Sequence, residues 1–439
     1  MASKKPNKLT LSTYQVGFGD CFLLTFHYDK FDRHVLVDFG STGKPKTSES
    51  KKKAAKGLMT RVAEDIQKQC GGKLHAIVAT HRHQDHISGF ATTGKNAPGT
   101  IIASCDPDVI VQPWTEHPDA NPITGNVKSN KSKQFAFGSA LQDMHAISAA
   151  VLDEVQRRKG MIGKQLHREL SFLGEDNISN LSAVKNLMEM GRGKNKEGKK
   201  KKAVYVHFGS KSGLETLLPG VNVKVLGPPN LDQSEKVRTM ASEDEEEFWH
   251  FQAFAGKFVT RPNAKSFRGA GVYPASRTPP STRWFIKRMK SIRGEQLLSI
   301  MRALDKVLNN TSLILLFEVG GQKLLFPGDA QIENWSYALG KKAVCKTLEN
   351  VNLYKVGHHG SLNATPKSLW KLFKNRSAKK TPGRLLSVVS TMAGKHGSPP
   401  KTEVPRRPLV EALKQETDFF TTQDLKGVKN IRKDFTIDL

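Results

Sequence analysis

Cysteine is scarce in this chain and widely spread. The four that occur, Cys21, Cys70, Cys105 and Cys345, form no Cys-x-x-Cys pair, which argues against a disulfide framework and against a thiolate zinc site, and fits a reducing compartment. Long apolar runs are missing too. No stretch of eighteen apolar residues occurs, and the opening MASKKPNKLTLSTYQVGFGD has basic residues but no continuous apolar segment of the kind a signal peptide carries. The expectation is a soluble, cytoplasmic protein with no membrane insertion. Acidic residues are the third shortage: Asp and Glu total 41 against 69 Lys and Arg, a formal net charge of +28. An excess of this size attracts polyanions, nucleic acid first and an anionic membrane surface second, although it can also serve solubility alone. The 439 residues suffice for one large core or for two to three average domains.

The densest chemistry lies in residues 74–90, LHAIVATHRHQDHISGF. Leu74 to Ala79 is short, β-branched at its centre and preceded by Gly71-Gly72, the pattern of a buried strand. It runs straight into His81, His83, Asp85 and His86. In extended chain His81 and His83 point to the same side, so both imidazoles can grip one cation, while Asp85 and His86 come one turn later and can face a second. The bland alternative is a histidine-rich surface turn, but three imidazoles and a carboxylate so close together are a costly arrangement unless a metal neutralises them.

Two further segments end in similar chemistry. NNTSLILLFEVGGQKLLFPGDA reads as a β-hairpin turning at Gly320-Gly321, and its second strand ends in Asp329, a carboxylate able to bridge two cations. VNLYKVGHHGSLNATP reads as a strand ending in His358-His359. Adjacent residues in a strand point opposite ways, so one of the pair is expected to ligate and the other to face substrate. His359, further past the strand end, is the expected ligand, with His358 as phosphate contact or proton donor. Thr365 and Pro366 then read as the cap and first residue of a helix.

The segment 81–86 resembles the first metal motif of the metallo-β-lactamase superfamily. The order VGFGD, VLVDFG, the metal motif, Gly328-Asp329-Ala330 and His358-His359-Gly360-Ser361 resembles the soluble metallo-β-lactamase-like domain of bacterial competence (DNA-uptake) proteins, over about residues 10 to 427 with interruptions. The resemblance implies an α/β fold, a four-layer αββα sandwich with a one- or two-metal site at its strand ends. It would occupy 9–430 as a single domain, with a helical insertion at 90–203 and a basic aromatic insertion at 231–308. One departure stands out: resembling domains often carry a histidine in a Leu-His-Pro context where this chain has LGPP, so Gly227 stands in a ligand's place and His207 is a candidate substitute. His396, in KHGSPP, corresponds roughly to a His-Pro of resembling domains.

The rest of the chain is read from its own residues. Gly17 and Gly19 suit ordinary hairpin chemistry, and Asp38 in VLVDFG can either stand behind a metal ligand or form a turn. Leu58, Met59, Val62 and Ile66 recur at helical spacing before Gly71. Residues 191–203, GRGKNKEGKKKKA, carry seven basic residues and one acid, a disordered loop by composition. Between Phe248 and Gly294 stand ten Lys or Arg, nine aromatic residues and no acid. Cations interleaved with rings suit a groove for single-stranded nucleic acid, with Trp284, Lys287 and Arg288 as candidate contacts beside Ser361. The same pattern also reads as a helix with buried rings and a wet basic face.

These observations converge on a hydrolase. His81, His83, Asp85, His86, Asp329 and His359 are the candidate metal ligands, and Asp85, His358 and His396 the candidate catalytic residues. The expected cofactor is Zn2+, one or two ions, with Mn2+ as the other candidate. No serine or cysteine is placed for covalent catalysis, so the expected chemistry is attack by metal-bound hydroxide on a phosphodiester in DNA or RNA. Two other readings stay open: hydrolysis of a small phosphoester or cyclic nucleotide, and a non-catalytic nucleic-acid-binding protein whose metal site is structural or impaired.

Overall fold

The structure is a computed structural model. It describes residues 5–43, 57–117, 181–230, 232–234, 307–363, 365–396, 403–425 and 430–439, with scattered positions at 151–173 and 298–305. Trp284, Lys287 and Arg288, and with them the basic aromatic segment, lie outside the described residues.

Two mixed β-sheets flanked by helices form an α/β sandwich. The first sheet contains β1 (Lys8–Tyr14), β2 (Cys21–His27), β3 (Asp32–Phe39), β4 (Ala76–Val78), β5 (Val109–Pro113) and β6 (Lys202–Val206). The second contains β7 (Asn222–Gly227), β8 (Ile314–Val319), β9 (Gln322–Phe326), β10 (Leu353–Lys355), β11 (Leu386–Val389) and β12 (Asp418–Thr421). A last strand, β13 (Arg432–Asp438), returns to pair antiparallel with β1 at the edge of the first sheet. Each sheet follows one scheme. β1, β2 and β3 are antiparallel, and β4, β5 and β6 then continue parallel to β3. Likewise β7, β8 and β9 are antiparallel, and β10, β11 and β12 continue parallel to β9.

Strand period explains the layering. Val35, Val37, Ala76, Val78, Val109 and Val111 face one way and pack with Leu315, Phe317, Leu324, Phe326 and Val388 of the second sheet, so this cluster is the seam between sheets. The intervening Leu36, Ile77 and Ile110 face the other way and meet Leu58, Val62 and Ile66 of α1 (Leu58–Gln69) and Ile102 of α2 (Pro98–Ser104). Across the seam, Ile314, Leu316, Leu325 and Tyr354 turn outward onto Trp335 of α3 (Ile332–Leu339), Leu369 of α4 (Lys367–Leu372) and Leu413 of α5 (Arg407–Glu416). Strands covered on both faces read as continuous apolar runs, which is how IVA and LILLF read in the sequence.

Several expectations need correction. The Lys-rich loop is folded. Asp106 Oδ1 takes the Lys201 ammonium at 2.6 Å and its Oδ2 accepts from the Lys196 backbone N–H at 2.7 Å, while Asn195 Oδ1 accepts from the N–H groups of Glu197 and Lys199. Carboxylates from outside the segment thus supply the anchors its own composition lacks. Gly19 is no ordinary hairpin glycine: at φ +153°, a Cβ there would lie 2.3 Å from Gly40 O and 2.6 Å from Asp85 O. Thr365 does not cap α4; its hydroxyl shares a 2.9 Å hydrogen bond with Tyr354 OH. β13, RKDFTID, carries only two apolar residues, Phe435 and Ile437, which pack partly buried against the seam cluster, a weak signal for an edge strand.

Candidate metal centre

The site forms where parallel strands of both sheets end on the same side. From the first sheet, β3 delivers Asp38 and β4 runs into the 79–86 turn and a short helix at Gln84–Ile87. From the second, β9 runs into Asp329, β10 into His358 and His359, and β11 into Ser390. The carboxyl ends of parallel strands are the usual place for a ligand crevice in such sheets.

Among the described residues three groups of side chains can hold a metal ion: His81, His83 and Asp85; Asp85, His86, Asp329 and His359; and Asp20, Asp38 and His86. All are buried. In the first group His81 Nε2 and His83 Nδ1 are 3.0 Å apart, the same-side arrangement expected of alternate residues in extended chain. In the second, His359 Nε2 lies 2.8 Å from Asp85 Oδ2, and His86 Nε2 lies 3.1 Å from Asp329 Oδ2. Asp85, rather than Asp329, is the residue common to both groups.

The third group stands behind the second. Asp38 is held in the left-handed region at φ 55°, and its Oδ1 accepts from the Thr80 backbone N–H at 2.7 Å. Its Oδ2 accepts from Thr80 Oγ1 at 2.7 Å and lies 2.8 Å from His86 Nδ1. A carboxylate there keeps the proton on Nδ1 and turns the Nε2 lone pair toward the site. The open choice for Asp38 is thereby resolved in favour of a partner behind His86. His359 is oriented in the same way: its Nδ1 donates to the Ser390 carbonyl at 2.9 Å, leaving Nε2 to face Asp85.

His358 and His359 do not point opposite ways. Both adopt left-handed backbone, φ 43° and 52°, in a short turn at His358–Gly360, so neither follows strand alternation. His358 Nε2 lies 3.9 Å from Asp329 Oδ2, and its Nδ1 shares a 2.8 Å hydrogen bond with Ser361 Oγ. Ser361 thus holds His358. His396 is more distant: its ring lies 6.3 Å from that of Phe18, which itself tilts over His359 at 4.5 Å.

Gly227 packs closely against its neighbours. A Cβ there would meet Asn334 Oδ1 at 2.4 Å and Ile314 Cδ1 at 2.8 Å, so a side chain at this position would force the Asn334 or Ile314 side chain to move. His207 belongs to none of the three groups; its Nδ1 lies 3.0 Å from the Phe208 carbonyl oxygen.

Two residues that sequence reasoning passed over complete the arrangement. Asp20, wholly buried, forms an ion pair with Lys355, equally inaccessible at the end of β10. The Lys355 ammonium also donates to Gly328 O at 3.2 Å and lies 3.7 Å from Asp329 Oδ1. Arg82, between the first two histidines, pairs with buried Glu116 through Nε at 2.8 Å. The available signals were a lysine inside an otherwise apolar strand and the aspartate closing VGFGD.

The fields are strong. Burial opposes charge on His86 and His359, but the surrounding carboxylates, Asp329 foremost, outweigh it and raise both imidazoles above the ordinary value. Burial likewise opposes ionisation of Asp85 and Asp329, yet the facing histidines hold both well below the usual carboxylate range. His81 is pushed well down by burial and by its neighbours His86 and His83. Burial, with help from His358, pushes His396 down to about 4.

The donor set fits a divalent cation. Asp85 Oδ1 and His86 Nε2 are buried side-chain atoms without a hydrogen-bond partner, although buried polar atoms are ordinarily satisfied. Imidazole nitrogens mixed with carboxylate oxygens suit a divalent transition-metal cation more than Ca2+ or a thiolate-selecting ion.

No helix among the described residues is long and apolar enough to cross a membrane. No model of a known protein family matches the chain, and no curated protein matches it.

Proposed function

We propose that the protein is a metal-dependent phosphodiesterase or nuclease of metallo-β-lactamase-like fold. The observation that carries this reading is the convergence of Asp85, His86, Asp329 and His359, buried and drawn from the strand ends of two sheets, on one point. The repetition of one strand scheme in both sheets, with the donors at equivalent strand ends, supports the αββα assignment. A bound divalent cation supplies Lewis acidity to a phosphoryl oxygen and acidifies water. His81 and His83 offer paired nitrogens on one side of Asp85, and His86, Asp329 and His359 close the other. Asp38 and Ser390 keep the two inner imidazoles in the tautomer that presents Nε2. His358, held at Nδ1 by Ser361, has its Nε2 on the Asp329 side, where it can contact a phosphate or carry a proton to a leaving group. Nucleic acid as substrate is supported by the charge of +28.

The test is cleavage of labelled single- and double-stranded oligonucleotides in Zn2+ or Mn2+, by the full chain and by Asp85→Ala. Metal-dependent cleavage that the substitution abolishes supports the reading. Cleavage that survives it, or hydrolysis confined to small phosphoesters, overturns the nuclease assignment.

A further inference from the structure

The Asp329 carboxylate presents its two oxygens to different company. Oδ2 faces the histidines, 3.1 Å from His86 Nε2 and 3.5 Å from His359 Nε2. Oδ1 faces away, toward the Lys355 ammonium at 3.7 Å. That ammonium simultaneously holds the carbonyl of Gly328, the residue just before Asp329, and pairs with Asp20. Asp20 in turn sits behind the two inner imidazoles, its Oδ1 3.5 Å from His359 Nδ1 and its Oδ2 3.7 Å from His86 Nδ1. Its backbone is pinned to the metal turn, because the Asp20 N–H donates to Asp85 O at 3.0 Å and the Gly40 N–H donates to Asp20 O at 3.0 Å.

We propose that Lys355 and Asp20 are positioning residues that fix the Asp329 carboxylate across the seam between the two sheets, so that Asp329 offers a bound cation one oxygen instead of two. The inference rests on the metal-site reading above and deepens it. A buried ion pair is weak evidence of stabilisation, since two well-packed apolar groups of similar volume commonly serve as well. Its use is then specificity of arrangement. Asp20 comes from the approach to β2 in the first sheet, Lys355 and Asp329 from the second, and the ammonium ties the two halves at the point where their donors must meet. The ammonium's attraction for Oδ1 at 3.7 Å, with its hydrogen bond to the Gly328 carbonyl next in the chain, opposes a swing of the carboxylate toward chelation and favours Oδ2 toward His86 and His359.

Removing one charge alone leaves the other buried without a partner and threatens folding. The informative protein is therefore the full chain carrying both Asp20→Asn and Lys355→Met, compared with wild type by Co2+ titration against a chromophoric chelator and by the visible absorption of the Co2+ form. A residue that orients a metal ligand changes affinity about 10- to 100-fold. The double variant is expected to stay folded, to bind Co2+ that much more weakly, and to show an altered Co2+ band as Asp329 becomes free to chelate. Wild-type affinity together with a wild-type spectrum overturns the proposal. Asp20→Asn alone, which keeps the ammonium but removes its anchor, is the second arm: a changed Co2+ band supports the proposal, and an unchanged band at unchanged affinity counts against it even if the double variant fails to fold. A wild-type chain that binds no Co2+ sinks the metal reading and this inference together, whereas binding indifferent to these substitutions sinks this inference alone.

Discussion

His359 Nε2 lies 2.8 Å from Asp85 Oδ2, joining residues 274 positions apart in the chain. Against the opposing effect of burial, the surrounding carboxylates, Asp329 foremost, hold this imidazole above its ordinary value and so favour its hydrogen bond to Asp85. The Nδ1 of His359 is committed to the Ser390 carbonyl, and Asp85 Oδ1 has no hydrogen-bond partner. A ring nitrogen and a carboxylate oxygen held face to face share a proton, and a divalent cation taken up by the surrounding donors would displace it.

Asp38 turns His86 toward the site without itself reaching the inner donors, so its effect is on orientation. Asp38→Asn keeps the shape but can present an amide donor to His86 Nδ1, favouring the wrong tautomer. A loss of about 10- to 100-fold in Zn2+ affinity is expected, with the fold retained, as read by chelator competition and circular dichroism. Unchanged affinity would contradict the orientation role.

Gly40 lets the β3 end lie directly on the metal turn. A Cβ there would fall 2.4 Å from Asp85 C and from His86 N, both backbone atoms with no room to yield. Gly40→Ala is expected to destabilise by about 1–3 kcal/mol, the scale of overpacking, and to weaken metal binding as well. Denaturant unfolding and metal titration check the two effects separately.

Acid stability is set partly at the opposite ends of these strands. His75 has Arg33 Nη1 3.0 Å from its Nε2 and the His34 backbone N–H 3.1 Å from its Nδ1, both donors, so an added proton finds no acceptor. Burial, reinforced by Arg33, pushes His75 down to about 3, and burial pushes His34 down to about 4. The unfolded chain protonates both near pH 6.5, so between that pH and the folded values it binds more protons than the native state. Stability should be fully present above about pH 6.5 and fall as the pH drops, by up to about 1.4 kcal/mol per pH unit for each group. His75→Gln should flatten this limb in urea unfolding measured at several pH values; an unchanged slope would contradict the assignment.

The Lys-rich hairpin depends on Asp106. Asp106→Ala removes the partner of Lys201 and the acceptor for the Lys196 N–H, at a cost of about 1–3 kcal/mol to local structure. Tryptic cleavage at Lys199 to Lys202 should quicken while global unfolding changes little. Equal cleavage rates would mean the hairpin is held by other contacts.

How much of this was legible follows from which contacts are local. The 81–86 motif and the β8–β9 hairpin announce themselves, because ligand spacing and a Gly-Gly turn with φ of +53° and +82° are short-range signals. Strand alternation does not carry to His358 and His359, because the strand ends at Lys355 and both residues are left-handed. Asp20 and Lys355 were missed because each is unremarkable alone; a lysine in a strand reads as a wet face until its distant partner is known. The composition of 191–201 reads as disorder because its anchors are distant: Asp106 and Asp108, which hold Lys201 and Asn195, lie some ninety residues upstream of the lysine run. The packing of Gly227 against Asn334 is likewise invisible in sequence, because the partner lies over a hundred residues away.

The most direct test of the metal centre is metal content by plasma mass spectrometry, after reconstitution with Zn2+ and gel filtration, of wild type and of the His81→Ala/His83→Ala variant. The account predicts about one to two ions per wild-type chain and loss of at least one in the variant. Wild-type protein that retains no divalent ion, or a variant that retains the full complement, would contradict it.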